Sequence, residues 1–215
     1  MKVNYIKRIT LTTLALLMIG SSSFAGTTFK DLVDIKESTA ILSLAERGIV
    51  QGISSELFNP LKPLRASEGI HLINSAFDLN LNHIQFIKEP KATDYFKFAD
   101  DNTWYSHGFI VASVNGVPLP SDLVPNTKWT KEQFLYYLVT TLELKNELPT
   151  IKLTPVIIKD QVEIKTEYDG ILQRALHYGI VSLDSEGKLA PKHELTRAEA
   201  AQIIFDTLEY VQSLK

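Results

Sequence analysis

The stretch Leu195 to Tyr210, LTRAEAAQIIFDTLEY, decides the reading of the fold. Thr196 followed three residues later by Glu199 is a capping box. The Thr oxygen accepts from a backbone N–H of the first turn, and the Glu reaches back to the N–H of the cap residue. Ala201, Ile204, Phe205, Leu208 and Val211 then share one face at helical spacing, with Gln202, Asp206 and Glu209 elsewhere. The pattern predicts an amphipathic helix. Arg197 falls at its first position, where a cation opposes the helix macrodipole by about 0.3–1 kcal/mol. The helix itself therefore does not account for Arg197. Two roles stand open: its stem covers apolar surface, or it sits beside free helix N–H groups where an anion binds both.

The same pattern recurs upstream. The last unit reads Gly179-Ile180-Val181, Leu189-Ala-Pro191, then Thr196 to Glu199. The first carries Gly48-Ile49-Val50, Phe58-Asn-Pro60 and Glu68; the middle one carries Gly116-Val117, Leu123-Val-Pro125 and Gln133. From proline to proline the period is 65 and then 66 residues. The apolar face repeats with it: Ala201, Ile204 and Leu208 match Ile70, Ile73 and Phe77, and Leu135, Leu138 and Leu142. Each unit reads as helix, Gly turn, Pro-containing loop and capped helix. The glycines suit the left-handed residue after a helix C-terminus. Trp129 stands where Leu64 and Leu195 stand and is expected in the core. One unit of about 60 residues buries little surface, so three are expected to pack as one all-α domain. Leu79 to Tyr95 and Lys145 to Asp160 separate the units. The run Val156-Ile157-Ile158 in the second reads as a short strand.

Composition narrows the function. The chain has 215 residues and no cysteine, which excludes disulfides, thiolate metal sites and a lipidated N-terminal Cys. Lys2, Lys7 and Arg8, the eleven-residue apolar run Ile9 to Ile19 and Ser23-Phe24-Ala25 read as a secretory signal peptide, residues 1–25. The units that follow are 26–80, 81–145 and 146–215. Loss of the leader takes three cations, leaving 19 basic residues against 25 acidic, a net charge near −6. Such a chain is a poor ligand for nucleic acid. No other stretch is apolar enough for membrane insertion. His71, His83, His107, His177 and His193 are scattered without metal-ligand spacing, and no catalytic or phosphate-binding motif is present. No enzyme activity, cofactor or metal is expected.

The repeats resemble the S-layer homology family. The resemblance rests on Phe29-Lys-Asp31, Gly48-Ile49-Val50-Gln-Gly52 and Phe58-Asn-Pro60; on Phe98-Ala-Asp100 with Trp104; and on Thr196-Arg197-Ala198-Glu199. It covers about residues 29–212. It implies a mainly helical fold: three helix-loop-helix repeats in a pseudo-threefold, spindle-like bundle. It also implies a secreted protein held noncovalently on the cell wall by secondary cell wall polysaccharide, often bearing a pyruvate ketal. The glycan-binding residues it implies are Arg197, Lys131, Asp31, Asp100, Trp104 and Gly52. A ketal carboxylate is a compact anion suited to an Arg fork.

The family pattern is incomplete here. The Arg position holds Arg197, Lys131 and Ala66 in the third, second and first units. Lys131 keeps charge without the planar fork. Arg65 is one residue from Ala66, a turn of ~100° about the helix. The second Gly survives only as Gly52, and the third unit lacks a clear Phe-x-Asp. At most one or two grooves are expected to bind glycan. Trp104 reads equally as core or as a sugar platform. The alternative function is a degenerate module that serves protein–protein interaction or assembly with envelope proteins of the cell or spore surface.

Overall fold

A computed structural model describes residues 29–82, 84–149 and 151–215. The leader read at 1–25 and His83 lie outside them. Six α-helices form among the described residues: α1 (Ser38–Glu46), α2 (Ala66–Ala76), α3 (Ser106–Val114), α4 (Lys131–Leu144), α5 (Thr166–His177) and α6 (Arg197–Ser213). One-turn 3-10 helices at Lys30–Leu32, Ala92–Asp94 and Gln161–Glu163 precede α1, α3 and α5. The fold is all-α, and no helix among the described residues is long and apolar enough to cross a membrane.

The capping boxes set the starts of α2, α4 and α6. Thr196 N–H donates to Glu199 at 2.8 Å, and Glu199 N–H donates back to the Thr196 hydroxyl at 3.2 Å. Thr130 N–H donates to Gln133 at 3.0 Å. Arg65 has no acceptor to offer, so α2 keeps only the half in which Arg65 N–H donates to Glu68 at 2.9 Å. Gly48, Gly116 and Gly179 follow α1, α3 and α5 at φ of 71°, 85° and 70°, the left-handed conformation expected of them.

The helices of one unit are not one another's main packing partners. α2 packs on α3, α4 on α5, and α6 on α1, so each pair joins two units and the last closes a ring. A backbone triangle holds the centre. Leu64 N–H donates to Leu195 carbonyl at 2.7 Å, Leu195 N–H to Trp129 carbonyl at 3.1 Å, and Trp129 N–H to Leu64 carbonyl at 2.9 Å. The three side chains are buried on the threefold axis, Trp129 completely. Gly69 makes room for the indole: a Cβ there would lie 2.4 Å from the ring.

Three sequence expectations change. Val156 to Ile158 is not a strand; the Gln173 amide accepts from Val156 N–H at 2.8 Å and donates to its carbonyl at 3.0 Å, taking the place of a neighbouring strand. The Phe-x-Asp position also shifts. Lys30, Lys97 and Lys159 N–H groups donate to Glu56, Ser121 and Gly187 carbonyls at 2.8, 2.8 and 3.0 Å, so these three lysines are equivalent. The second unit therefore aligns as Phe96-Lys97-Phe98, with buried Phe96 in the Phe position and Phe98 where Asp31 stands. The third unit still has no Phe in the motif but keeps its carboxylate, as Ile158-Lys159-Asp160.

Candidate functional site

The segments that enter α2, α4 and α6 interlock around the axis, and this decides what their N-termini offer. Arg197 and Ala198 N–H groups donate to Lys62 and Pro60 carbonyls at 2.9 and 3.0 Å. Lys131 and Glu132 donate to His193 and Pro191 carbonyls at 2.8 and 3.0 Å, and Ala66 and Ser67 to Thr127 and Pro125 at 2.8 and 3.0 Å. The free helix N–H groups proposed from sequence beside Arg197 do not exist. Neighbouring loops consume them, because a buried backbone donor must be paired. Any anion chemistry at Arg197 belongs to its side chain.

That side chain is mostly buried and reaches into the first unit. Its Nε donates to Phe58 carbonyl at 3.2 Å and its Nη2 to Gln51 carbonyl at 3.0 Å. The guanidinium lies 4.5 Å from the Phe58 ring centroid, and Nη1 is 4.0 Å from Glu68. Burial pushes the guanidinium below its usual range, while Glu68 and Asp31 favour the charged form. Burial would raise the Glu68 carboxyl. The 2.7 Å bond from Lys62, the Arg65 N–H and the Lys62 and Arg197 charges hold it below the usual range instead. Guanidinium donors not taken by Phe58 and Gln51 remain for a ligand.

Arg197, Gly52 and Trp104 line one groove, together with Gln51, Glu68 and His71. Arg197 comes from the third unit, Gly52 from the first, and Trp104 from the loop before α3 of the second. Trp104 is 63% exposed, which settles the choice between core and surface in favour of surface. Gly52 has a steric duty: a Cβ there would meet Ser54 carbonyl at 2.4 Å and Leu57 carbonyl at 2.6 Å. The groove encloses about 210 Å³, below the roughly 300–1,000 Å³ of drug-sized pockets. A ligand of about one ring's size fits it.

Lys131 lines a second groove, with Lys36, Ser182, Glu199, Gln202 and Asp206. It is the threefold counterpart of the first. Lys131 donates to Leu189 carbonyl at 3.0 Å, as Arg197 Nε does to Phe58. Burial pushes the Lys131 ammonium down, against the charges of Glu199, Asp160 and Asp184. In the third position Ala66 supplies no cation, and Tyr136 packs against Tyr168 with centroids 4.5 Å apart and planes tilted by 37°. Arg65 does not substitute; it donates to Asn126 at 2.9 Å.

Asp31 and Asp100 are not among the lining residues. Asp31 accepts from Phe58 and Asn59 N–H groups at 2.9 and 2.7 Å, and Asp160 does the same for Leu189 and Ala190 at 2.9 and 2.8 Å. Each carboxylate latches the loop whose carbonyl receives Arg197 or Lys131. Burial would raise the Asp31 carboxyl, but these N–H groups and Arg197 keep it below its usual range. Asp100 accepts from Asn102 N–H at 2.9 Å in the exposed loop before α3. Sequence reasoning missed His71, Gln51 and Glu68 as groove residues. The threefold alignment of Glu68 with Glu199 carried a signal for one of them; position 71 holds His, Tyr136 and Gln202 in the three units and carried none. Among the described residues no cluster of three His, Asp or Glu is placed to hold a metal ion.

The S-layer homology domain model matches residues 28–65 and 157–201, the stretches that carry the Asp31 and Asp160 latches. Three longer proteins are similar. Exoglucanase XynX of Acetivibrio thermocellus is 25% identical over 190 residues, 87% of this chain and 17% of that one. An amylopullulanase of Thermoanaerobacterium thermosulfurigenes is 25% identical over 185 residues, 85% of this chain and 10% of that one. The surface-layer 125 kDa protein of Lysinibacillus sphaericus is 24% identical over 180 residues, 81% and 14%. The chain thus spans between 10% and 17% of the length of these relatives.

Proposed function

We propose that the chain, whose residues 28–65 and 157–201 match the S-layer homology domain model, is a surface-anchoring module that binds secondary cell wall polysaccharide noncovalently through the Arg197 groove. One observation carries this reading: residues 52, 104 and 197, far apart in sequence, converge on a single open groove. An acidic substituent such as a pyruvate ketal meets the remaining N–H donors of Arg197, whose partner Glu68 is already engaged by Lys62. The sugar ring lies against Trp104. The Lys131 groove has an ammonium in place of the fork, a second lysine, Lys36, that is paired with Glu37, and no aromatic wall, and is the weaker site. The third groove lacks a cation. Lys131, Asp31 and Asp160 serve the glycan by shaping the loops, and Asp100 by holding the segment that presents Trp104.

Cosedimentation of residues 26–215 with purified sacculi, before and after the secondary polysaccharide is stripped, tests the reading. Binding that disappears on stripping is expected, with Trp104→Ala impaired in the same assay. Equal binding to stripped sacculi places the ligand elsewhere in the wall. No binding to either leaves the alternative, a protein partner of the envelope, for pull-down.

A further inference from the structure

His71 is a groove residue for which the repeat pattern and the fold provide no role. It stands on α2, and its ring meets Trp104 edge-on, with centroids 6.0 Å apart and planes at 88°. Its ring nitrogens have no hydrogen-bond partner among the described residues, whereas the Arg197 and Glu68 side chains in the same groove are engaged. The two rings come from different units, and packing of α2 on α3 fixes one against the other. The threefold counterparts make no such corner. Trp104 and His71 correspond to Lys36 and Gln202 in the Lys131 groove, both flexible chains without a flat face. In the third position the counterparts are Glu167 and Tyr136, and Tyr136 is spent on Tyr168.

We propose that His71 determines the specificity of the Arg197 groove: it forms with Trp104 a two-walled corner that seats one sugar ring, the ring face on the indole and a hydroxyl or acetamido group on the imidazole. The inference rests on the glycan reading above and adds the residue that reads the neutral part of the sugar. A neutral imidazole has one donor and one acceptor, the pair a hydroxyl satisfies. Partial burial disfavours its charged form and so supports the neutral state. Arg197 then selects the acidic substituent, and His71 and Trp104 select the ring that bears it.

Calorimetric titration with polysaccharide fragments released from sacculi tests this, using wild type, His71→Gln, His71→Phe and Arg197→Lys, with melting temperatures as the control on folding. Gln keeps a donor and an acceptor, and Phe keeps the ring without either. The expected order of affinity is wild type, then Gln, then Phe, with Phe weaker than wild type by about 5- to 30-fold. Phe binding as well as or better than Gln makes position 71 a packing site and overturns the proposal. So does indifference to both changes while Arg197→Lys weakens binding, an outcome that leaves the glycan reading standing. Wild type that binds no fragment overturns the glycan reading and this inference together.

Discussion

Arg197 and Phe58, 139 residues apart, are joined twice: Nε donates to the Phe58 carbonyl at 3.2 Å while the guanidinium covers the Phe58 ring at 4.5 Å. The residue that marks the last repeat thus ties α6 to the loop of the first. Stability and the proposed binding are therefore coupled at this position.

Arg197→Ala is therefore expected to cost about 2–3 kcal/mol in urea unfolding, from two hydrogen bonds and a cation–π contact. Arg197→Lys recovers about half, since Lys131 shows that an ammonium reaches the equivalent carbonyl. Trp104→Ala stays within about 0.5 kcal/mol of wild type and is the cleaner probe of binding. In sacculus binding Arg197→Ala is weaker than Lys131→Ala. Equal, negligible effects of both on binding would remove the proposed mechanism.

The two latches differ in their surroundings. Asp160 is buried and holds Ala190, which sits at φ 55°; Asp31 is partly exposed and holds Asn59 at φ 62°. Asn tolerates the left-handed region better than Ala does. Asp160→Asn is expected to destabilise by about 1–3 kcal/mol, more than Asp31→Asn. Denaturant midpoints in the reverse order would show that the carboxylates do not hold these residues.

Gly69 and Trp129 form a matched pair across the axis. Gly to Ala in a helix ordinarily stabilises by about 0.8–1 kcal/mol. Here the added methyl meets the indole at 2.4 Å, so Gly69→Ala is expected to destabilise by about 1–3 kcal/mol. Trp129→Leu restores the residue found at positions 64 and 195 and should relieve that cost. A double-mutant cycle with no coupling refutes the pairing.

Acid should weaken the fold in two stages. His71 has its pKa lowered by burial, so its contribution is complete above 6.5 and is lost as pH falls through the folded-state value. Glu68, Arg197 and Trp104 line the same groove. Glu68 and Glu199 are also lowered, their hydrogen bonds outweighing burial, so their contribution is complete above 4.5 and is lost below it. Melting curves from pH 7 to 3 should show both losses, and His71→Gln should remove only the first. A His71→Gln profile that overlays wild type would rule out His71 as the source of the upper stage.

The helices, their capping boxes, the left-handed glycines and the threefold register were legible in the sequence, because capping and amphipathic spacing act within one or two turns. The burial of Trp129 was legible too, since its counterparts are leucines. Contacts between residues dozens to more than a hundred apart were not. The Arg position showed which cation to examine, but only the interlocked loops revealed that the helix N–H groups beside it are taken. The Asp31 carboxylate binds backbone 27 and 28 residues away, so its duty as a loop latch has no local signature. One-residue differences in the spacing to the next helix, with Asp31 seven residues before Ser38, Phe98 eight before Ser106 and Asp160 six before Thr166, hid the true counterparts of Asp31. The meeting of His71 with Trp104 depends on α2 packing against α3, a matter of helix geometry rather than spacing. Sequence alone determined the repeating unit; the closing of the ring by α6 on α1 decided which side chains share a groove, because each groove is built from three units and none is complete in one.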